Sequence, residues 1–169
     1  MRLAVAGALL LLVGCTQPAE NLPAGADGRV VRVIDGDTVD VRLVKNGRAS
    51  TERIRLIGID TPETKKPHTP VQCFGPEASA RTAQLLPPGT LVVVRADSEL
   101  RDDYGRLLAY VHRFSDGVFV NRQLLDEGLA RTLEIPPNTG HADEFRRSEA
   151  AARRAARGLW GRCTDSVAP

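Results

Sequence analysis

The hydrophobic and polar positions change period along the chain. Between residues 29 and 59 they alternate with period two: Val39, Val41 and Leu43 fall on one face of an extended segment, with Asp40 and Arg42 on the other. Further on, Ile54 and Leu56 alternate with Arg53 and Arg55. Asp35-Gly36-Asp37 separates the first two β-branched runs and Asn46-Gly47 precedes the third, each offering a residue that tolerates positive φ. The pattern predicts a three-strand meander. From Pro76 the period becomes helical, with Glu77 in an acidic first turn and Ala78, Thr82, Leu85 and Leu86 on one face, until Pro87-Pro88. Residues 90–95 and 107–112 read as a fourth and a fifth strand across the polar stretch 98–105. Residues 121–127 predict a short helix that Gly128 ends. Residues 141–157 predict a longer one, with Phe145, Ala152 and Ala156 inward and the i,i+4 pairs Asp143–Arg147 and Glu149–Arg153 on its solvated side. Five short strands with a helix inserted after the third predict an α+β, β-rich fold: a five-stranded OB-fold Greek-key barrel with about three α-helices.

The chain of 169 residues has room for one such domain, spanning 28–163, and its 42% hydrophobic and 26% charged residues exclude wholesale disorder, collagen and a coiled coil. Before the domain, Arg2 and the apolar run 3–13 have the size of an export signal and fall short of a membrane span. Residues 12–15, Leu-Val-Gly-Cys, resemble a lipobox, so the expectation is a lipoprotein signal peptide over 1–14 and a lipid anchor on Cys15; an ordinary cleaved signal is the alternative. Residues 15–27 read as a Pro/Ala/Gly-rich tether and 164–169 as a tail. Removing 1–14 takes away Arg2 alone, leaving 22 basic against 21 acidic side chains, so no bulk positive charge is available to hold a polyanion. In an exported protein Cys73 and Cys163 are expected to pair. A zinc site is the alternative, with His68 five residues before Cys73 but no C-x-x-C.

Asp35, Asp37 and Asp40 crowd one turn; Asp60 and Glu63 crowd another. Hard oxygen ligands in clusters suggest Ca²⁺ or Mg²⁺. An EF-hand loop does not fit, because its sixth and twelfth positions hold Asp40 and Asn46. Taken singly, each cluster is also a serviceable turn. Arg55, five residues before Asp60, changes the balance: a guanidinium aimed from a strand toward carboxylates points to a bound anion. Arg106 follows the turn 102–105 and can deliver a second one. Two planar cations facing a carboxylate-held cation suit hydrolysis of a phosphodiester, with Glu63 placed to hold the attacking water.

Three blocks, Val33-Ile34-Asp35-Gly36-Asp37-Thr38-Val39, residues 55–63 (Arg-Leu-Ile-Gly-Ile-Asp-Thr-Pro-Glu) and residues 103–110 (Asp-Tyr-Gly-Arg-Leu-Leu-Ala-Tyr), resemble the staphylococcal nuclease (thermonuclease) family. The likeness continues through Val120-Asn121, residues 129–131 and residues 147–150, and so covers about 28–160. It implies an OB-fold barrel and Ca²⁺-dependent hydrolysis of DNA and RNA to 3′-phosphate products. It also implies Asp37, Asp60 and the Thr61 carbonyl as metal ligands, Arg55, Glu63 and Arg106 as catalytic residues, and Tyr104 lining the pocket. Two departures stand out. Residues 132–137 (Thr-Leu-Glu-Ile-Pro-Pro) carry no aromatic ring where the family has pocket tyrosines, and Asp103 replaces a basic residue. Base stacking is worth about 1–3 kcal/mol per base, so weaker nucleotide affinity is expected. His68, His112 and His141 read as surface or turn residues. Two rival readings remain: a non-catalytic OB module binding nucleic acid or another ligand, and a calcium-stabilised envelope protein. A monomer is the simplest assembly.

Overall fold

In the computed structural model, which describes residues 22–64 and 70–163, the alternating stretch forms β1 (Gly28–Val33), β2 (Thr38–Lys45) and β3 (Arg48–Leu56), paired antiparallel. Val30, Val39, Val41, Ile54 and Leu56 are buried on the inner face, as period two requires. Asn46 and Gly47 both take positive φ, 51° and 73°, closing the β2–β3 hairpin. β5 (Leu91–Arg95) and β6 (Leu107–Arg113) follow after a helix and pair antiparallel. β6 runs parallel to β3, with Ile54 opposite Leu107, and β5 meets the start of β1. The order β1-β2-β3-β6-β5 therefore closes into the five-stranded α+β barrel anticipated above.

The third strand ends earlier than its apolar pattern predicts. At Gly58 the backbone takes φ +78°, and a Cβ there would sit 2.4 Å from the Phe145 ring, so only glycine permits the bend. Beyond it, β4 (Gly58–Asp60) leaves the barrel and pairs with β7 (Arg131–Leu133), Asp60 opposite Arg131. This small sheet carries the acidic turn to one rim of the barrel.

The helices are α1 (Gly75–Leu85), α2 (Val120–Asp126), α3 (Ala142–Arg154) and the single turn α4 (Leu159–Arg162). Gly128 follows α2 with φ +69° and donates its N–H to the Leu125 carbonyl. α3 stops at Arg154, short of 157, because Ala156 turns to φ 49° and the chain reverses into α4. The pair Glu149–Arg153 forms at 2.9 Å, whereas Asp143 bonds Arg146 rather than Arg147. Leu124, Leu125 and Phe145 seal the core beneath the barrel.

Cys73 and Cys163 are joined as a disulfide across 90 residues, which leaves the zinc alternative without thiolate ligands. Asp27, the last residue of the expected tether, already belongs to the domain: its N–H bonds the Val92 carbonyl and its carboxylate accepts from Val94 N–H and Arg95. The signal segment, Cys15, His68 and the tail lie outside the described residues. Among the described residues no helix is long and apolar enough to cross a membrane.

Candidate active site

The turn between β1 and β2 and the segment after β4 are built against each other. A Cβ on Gly36 would lie 2.5 Å from the Thr61 hydroxyl, so the approach requires glycine at this position. The neighbouring Asp37, 7% exposed, accepts the Thr61 backbone N–H at 3.0 Å and the Thr61 and Thr38 hydroxyls at 3.1 Å each. From the other side Thr82 of α1 donates its hydroxyl to the Gly36 carbonyl at 2.7 Å. A carboxylate with three donors is held in one orientation before any ligand arrives.

Arg55 stands opposite Thr38 near the end of β3. Its Nη1 donates to the carbonyls of Leu56 and Ile59 at 2.7 and 2.9 Å, two acceptors that the Gly58 bend turns toward it. Its Nη2 reaches Asp60 at 3.1 Å and Asp37 at 3.2 Å, and the side chain is 12% exposed. Arg106 is aimed differently. Its Nε bonds Asp102 at 2.6 Å, and Asp102 also accepts the backbone N–H groups of Tyr104 and Arg106, so one carboxylate shapes the turn and fixes the guanidinium. Among the described residues the two terminal nitrogens of Arg106 take no hydrogen bond. Glu63 follows Pro62; its Oε1 accepts the Thr64 N–H at 2.8 Å, and its backbone is bonded in both directions to Gln72.

These groups surround one cavity of about 190 Å³, lined by Asp37, Arg55, Asp60, Thr61, Glu63 and Arg106 together with Asp35. Residues separated by some seventy positions thus meet at one rim of the barrel. Tyr104 does not line this cavity. It is 85% exposed, with the Arg106 guanidinium 5.4 Å from its ring, and borders two neighbouring grooves. One of these, about 310 Å³, is walled by Leu108 of β6 and by Leu133 and Ile135, aliphatic side chains in the stretch that lacks aromatics, and Asp103 lies on it.

Negative charge in the cavity is incompletely balanced. Burial raises the Asp35 carboxyl above its ordinary value, and the Asp37 and Glu63 charges push the same way. Asp60 is raised too, first by loss of hydration in the cleft; Arg55 opposes this, and Asp37 and Glu63 reinforce it. At Asp102 burial acts against ionisation, yet the bonds from Arg106 outweigh it and hold the carboxyl below its usual range. All of the donors suited to a cation are hard oxygens, and among the described residues no three His, Cys, Asp or Glu side chains are grouped closely enough to hold a metal by themselves. Any cation here would need backbone or solvent oxygens as well.

Asp40, expected in the same acidic turn, instead faces Arg32 and Arg53 at 2.9 Å each and stays off the cavity. Asp35, expected among the clustered carboxylates of its turn, lines the cavity. Asp102 was not among the candidates; it stands four residues before Arg106 in the same turn, so spacing alone was the available signal. Asn121, fully buried, bonds the Val111 N–H and the Ile57 carbonyl and thereby sets the strand end that carries Arg55. His112 stacks on Phe119 and His141 bonds Glu144, both apart from the cavity.

A family model described as staphylococcal nuclease homologue matches residues 53–162. The chain is 43% identical over 132 residues to endonuclease YncB of Bacillus subtilis (strain 168), covering 78% of this chain and 60% of that protein. It is 42% identical over 132 residues to the SPbeta prophage-derived endonuclease YokF of the same organism, covering 78% and 43%. It is 44% identical over 133 residues to the thermonuclease of Staphylococcus intermedius, covering 79% and 75%. The chain therefore spans 60% and 43% of the two Bacillus proteins and three quarters of the Staphylococcus one. With the family model matching from β3 to the end of α4, over the strand that carries Arg55 and the turns that carry Asp60, Glu63 and Arg106, this chain belongs to the staphylococcal nuclease homologue family.

Proposed function

We propose that this protein is a nuclease that hydrolyses phosphodiester bonds of DNA and RNA. The observation that carries the reading is the single cavity in which Arg55, near the end of β3, and Arg106, in the turn leading into the neighbouring parallel β6, face Asp37, Asp60 and Glu63. A phosphate between the two guanidiniums would have its oxygens neutralised as charge builds on them. Glu63 would orient a water and accept its proton while the water oxygen bonds to phosphorus and the P–O5′ bond breaks. The 3′ side keeps the phosphate, and the departing 5′ oxygen takes a proton from solvent. Asp102 keeps the Arg106 fork aimed, and the Thr61 donors keep Asp37 from turning away.

The oxygen donors and the surplus negative charge around Asp35, Asp37 and Asp60 suit Ca²⁺, held by Asp37, Asp60 and the Thr61 carbonyl with water completing the shell. The ion, when bound, would supply positive charge beside the phosphate and lower the pKa of nearby water. A cleft gripping one phosphate between two arginines favours a strand that can splay away, so single-stranded or frayed substrates are preferred. The protein would be exported and held at the cell envelope by lipid on Cys15, as a monomer. The apolar run before Cys15 supports this placement, as does a disulfide of the kind that persists in oxidising compartments.

The test is cleavage of single-stranded DNA by the full chain with Ca²⁺ or with chelator, beside Glu63→Gln. The expected outcome is Ca²⁺-dependent cleavage giving 3′-phosphate ends, and a kcat lowered about 10²- to 10⁴-fold in Glu63→Gln with little change in KM. Full activity in chelator would remove the metal from the reading. Calcium-dependent binding without cleavage would favour the non-catalytic OB module.

A further inference from the structure

Glu63 has a demanding task and little regular structure to hold it. It lies between β4 and α1, and its main chain is bonded in both directions to Gln72. The Glu63 N–H donates to the Gln72 side-chain Oε1 at 2.8 Å, and the Gln72 N–H returns to the Glu63 carbonyl at 2.9 Å. The Gln72 carbonyl then accepts the Gly75 N–H at 3.0 Å, where α1 begins. At that point α1 sits directly on the Glu63 segment: a Cβ on Gly75 would lie 2.7 Å from Thr64 Cγ2 and 3.0 Å from the Glu63 carbonyl. Gln72 itself is exposed, as are Val71 and Cys73. A solvent-exposed hydrogen bond, exchanged readily for bonds to water, does little by itself to hold a segment in one pose. The help is next door. Cys73 is bonded to Cys163, the residue after α4, and α4 is anchored by the buried Leu159 and its N–H to the Gly128 carbonyl.

We infer that Gln72 is the positioning residue of Glu63 and that the Cys73–Cys163 bond holds Gln72 in place, so that turnover depends on the oxidation state of this disulfide. The inference rests on the general-base role given to Glu63 above. Reduction by a dithiol such as dithiothreitol delivers two electrons and two protons, leaving Cys73 and Cys163 as thiols and the reagent as its own cyclic disulfide. The exposed Cys73 gives the reagent access. With the bridge open, the exposed segment 71–73 loses its covalent tie to α4, and the Gln72 clasp on Glu63 loosens while the barrel stays closed.

The experiment uses the full chain as wild type, Gln72→Ala, Gln72→Glu, Cys73→Ser/Cys163→Ser and the triple variant, with two readouts. The first is kcat and KM on single-stranded DNA; the second is amide hydrogen exchange at Glu63, with Leu56 in the barrel as reference. Gln72→Ala is expected to lower kcat about tenfold with KM within about twofold, and to speed Glu63 exchange about tenfold while Leu56 is unchanged. Gln72→Glu keeps an acceptor oxygen at the same reach and restores both. Reduction of the wild type, and the double serine variant, shift both readouts in the same direction as Gln72→Ala. The triple variant falls within about twofold of the double, because both changes act through one contact. Unchanged Glu63 exchange in Gln72→Ala, an unchanged kcat, or losses that multiply in the triple variant would overturn the inference. Should the wild type cleave nothing, the nuclease reading fails, and Glu63 exchange still decides whether Gln72 and the disulfide position that residue.

Discussion

Arg55 and Arg106 show two ways of presenting a guanidinium. Arg55 is pre-aimed from below, with two main-chain carbonyls and two carboxylates sharing its nitrogens, so its fork is rigid before a phosphate arrives. Arg106 is fixed by Nε alone and keeps its outer edge toward the cavity. Losing the Arg106 side chain would leave Asp102 with main-chain donors alone, whereas losing Arg55 would take a donor from the carbonyls of Leu56 and Ile59. At the opposite end of β6 a single residue carries a prediction about acid stability. His112 packs flat on Phe119 with ring centroids 4.3 Å apart, and its Nδ1 is buried without a partner among the described residues. Burial lowers its pKa from the ordinary 6.5, the nearby His141, Arg95 and Arg122 push the same way, and Glu144 opposes them. A group whose folded pKa is depressed contributes fully above its unfolded pKa and loses that contribution as pH falls through the folded value. His112→Phe should therefore retain stability that the wild type loses below pH 6.5, the ordinary value at which the unfolded imidazole charges. Urea midpoints measured from pH 8 to pH 5 check this: the two proteins should diverge only on the acid side, and parallel curves would contradict it.

Among the elements, the short β4–β7 sheet is the decisive one, because it lifts Asp60 and Glu63 off the barrel wall and turns them toward Asp37. Asn121 on α2 holds that geometry from behind, joining the Val111 N–H of β6 to the Ile57 carbonyl just before β4. Asn121→Ala would leave both main-chain groups buried and unpaired, which costs about 1–3 kcal/mol for each such group. The expected result is a lower urea midpoint with unchanged slope, together with a loss of activity that exceeds what the unfolded fraction explains. The barrel strands were legible because period two survives wherever one face is buried. β4 and β7 were not, since three residues carry no period and the Gly58 bend is imposed by the Phe145 ring, a contact between distant positions. The end of α3 was hidden for a similar reason: Ala156 adopts positive φ so that the chain can turn into α4, and nothing in alanine announces it. In the site, Asp37, Asp60, Glu63, Arg55 and Arg106 were legible chiefly as ordered blocks resembling a known family. Asp102 was overlooked because its bond to Arg106 belongs to turn geometry, and Asp40 looked like part of the cluster until β-strand alternation sent it to the outer face beside Arg53.

On the scale of the molecule, the barrel works as a frame on which several separate turns are brought to one rim, and α1 ties two of them together through Thr82 and Gly75. The near-neutral charge of the chain means that affinity for a polyanion must come from this rim rather than from an overall field. The groove beside the cavity is walled by the aliphatic side chains of Leu133 and Ile135, with the exposed Tyr104 ring at its border as the one aromatic face among its lining residues. The claim on which everything else depends is that groups from β3, from the turn after β4 and from the turn before β6 act together on one phosphate. A double-mutant cycle of Glu63→Gln and Arg106→Ala, read as single-turnover cleavage of single-stranded DNA, tests it most directly. Each single variant should lose about 10²- to 10³-fold, and the double should lose far less than the product, because the two groups serve one transition state. Losses that simply multiply, or wild-type rates in either single variant, would contradict the account.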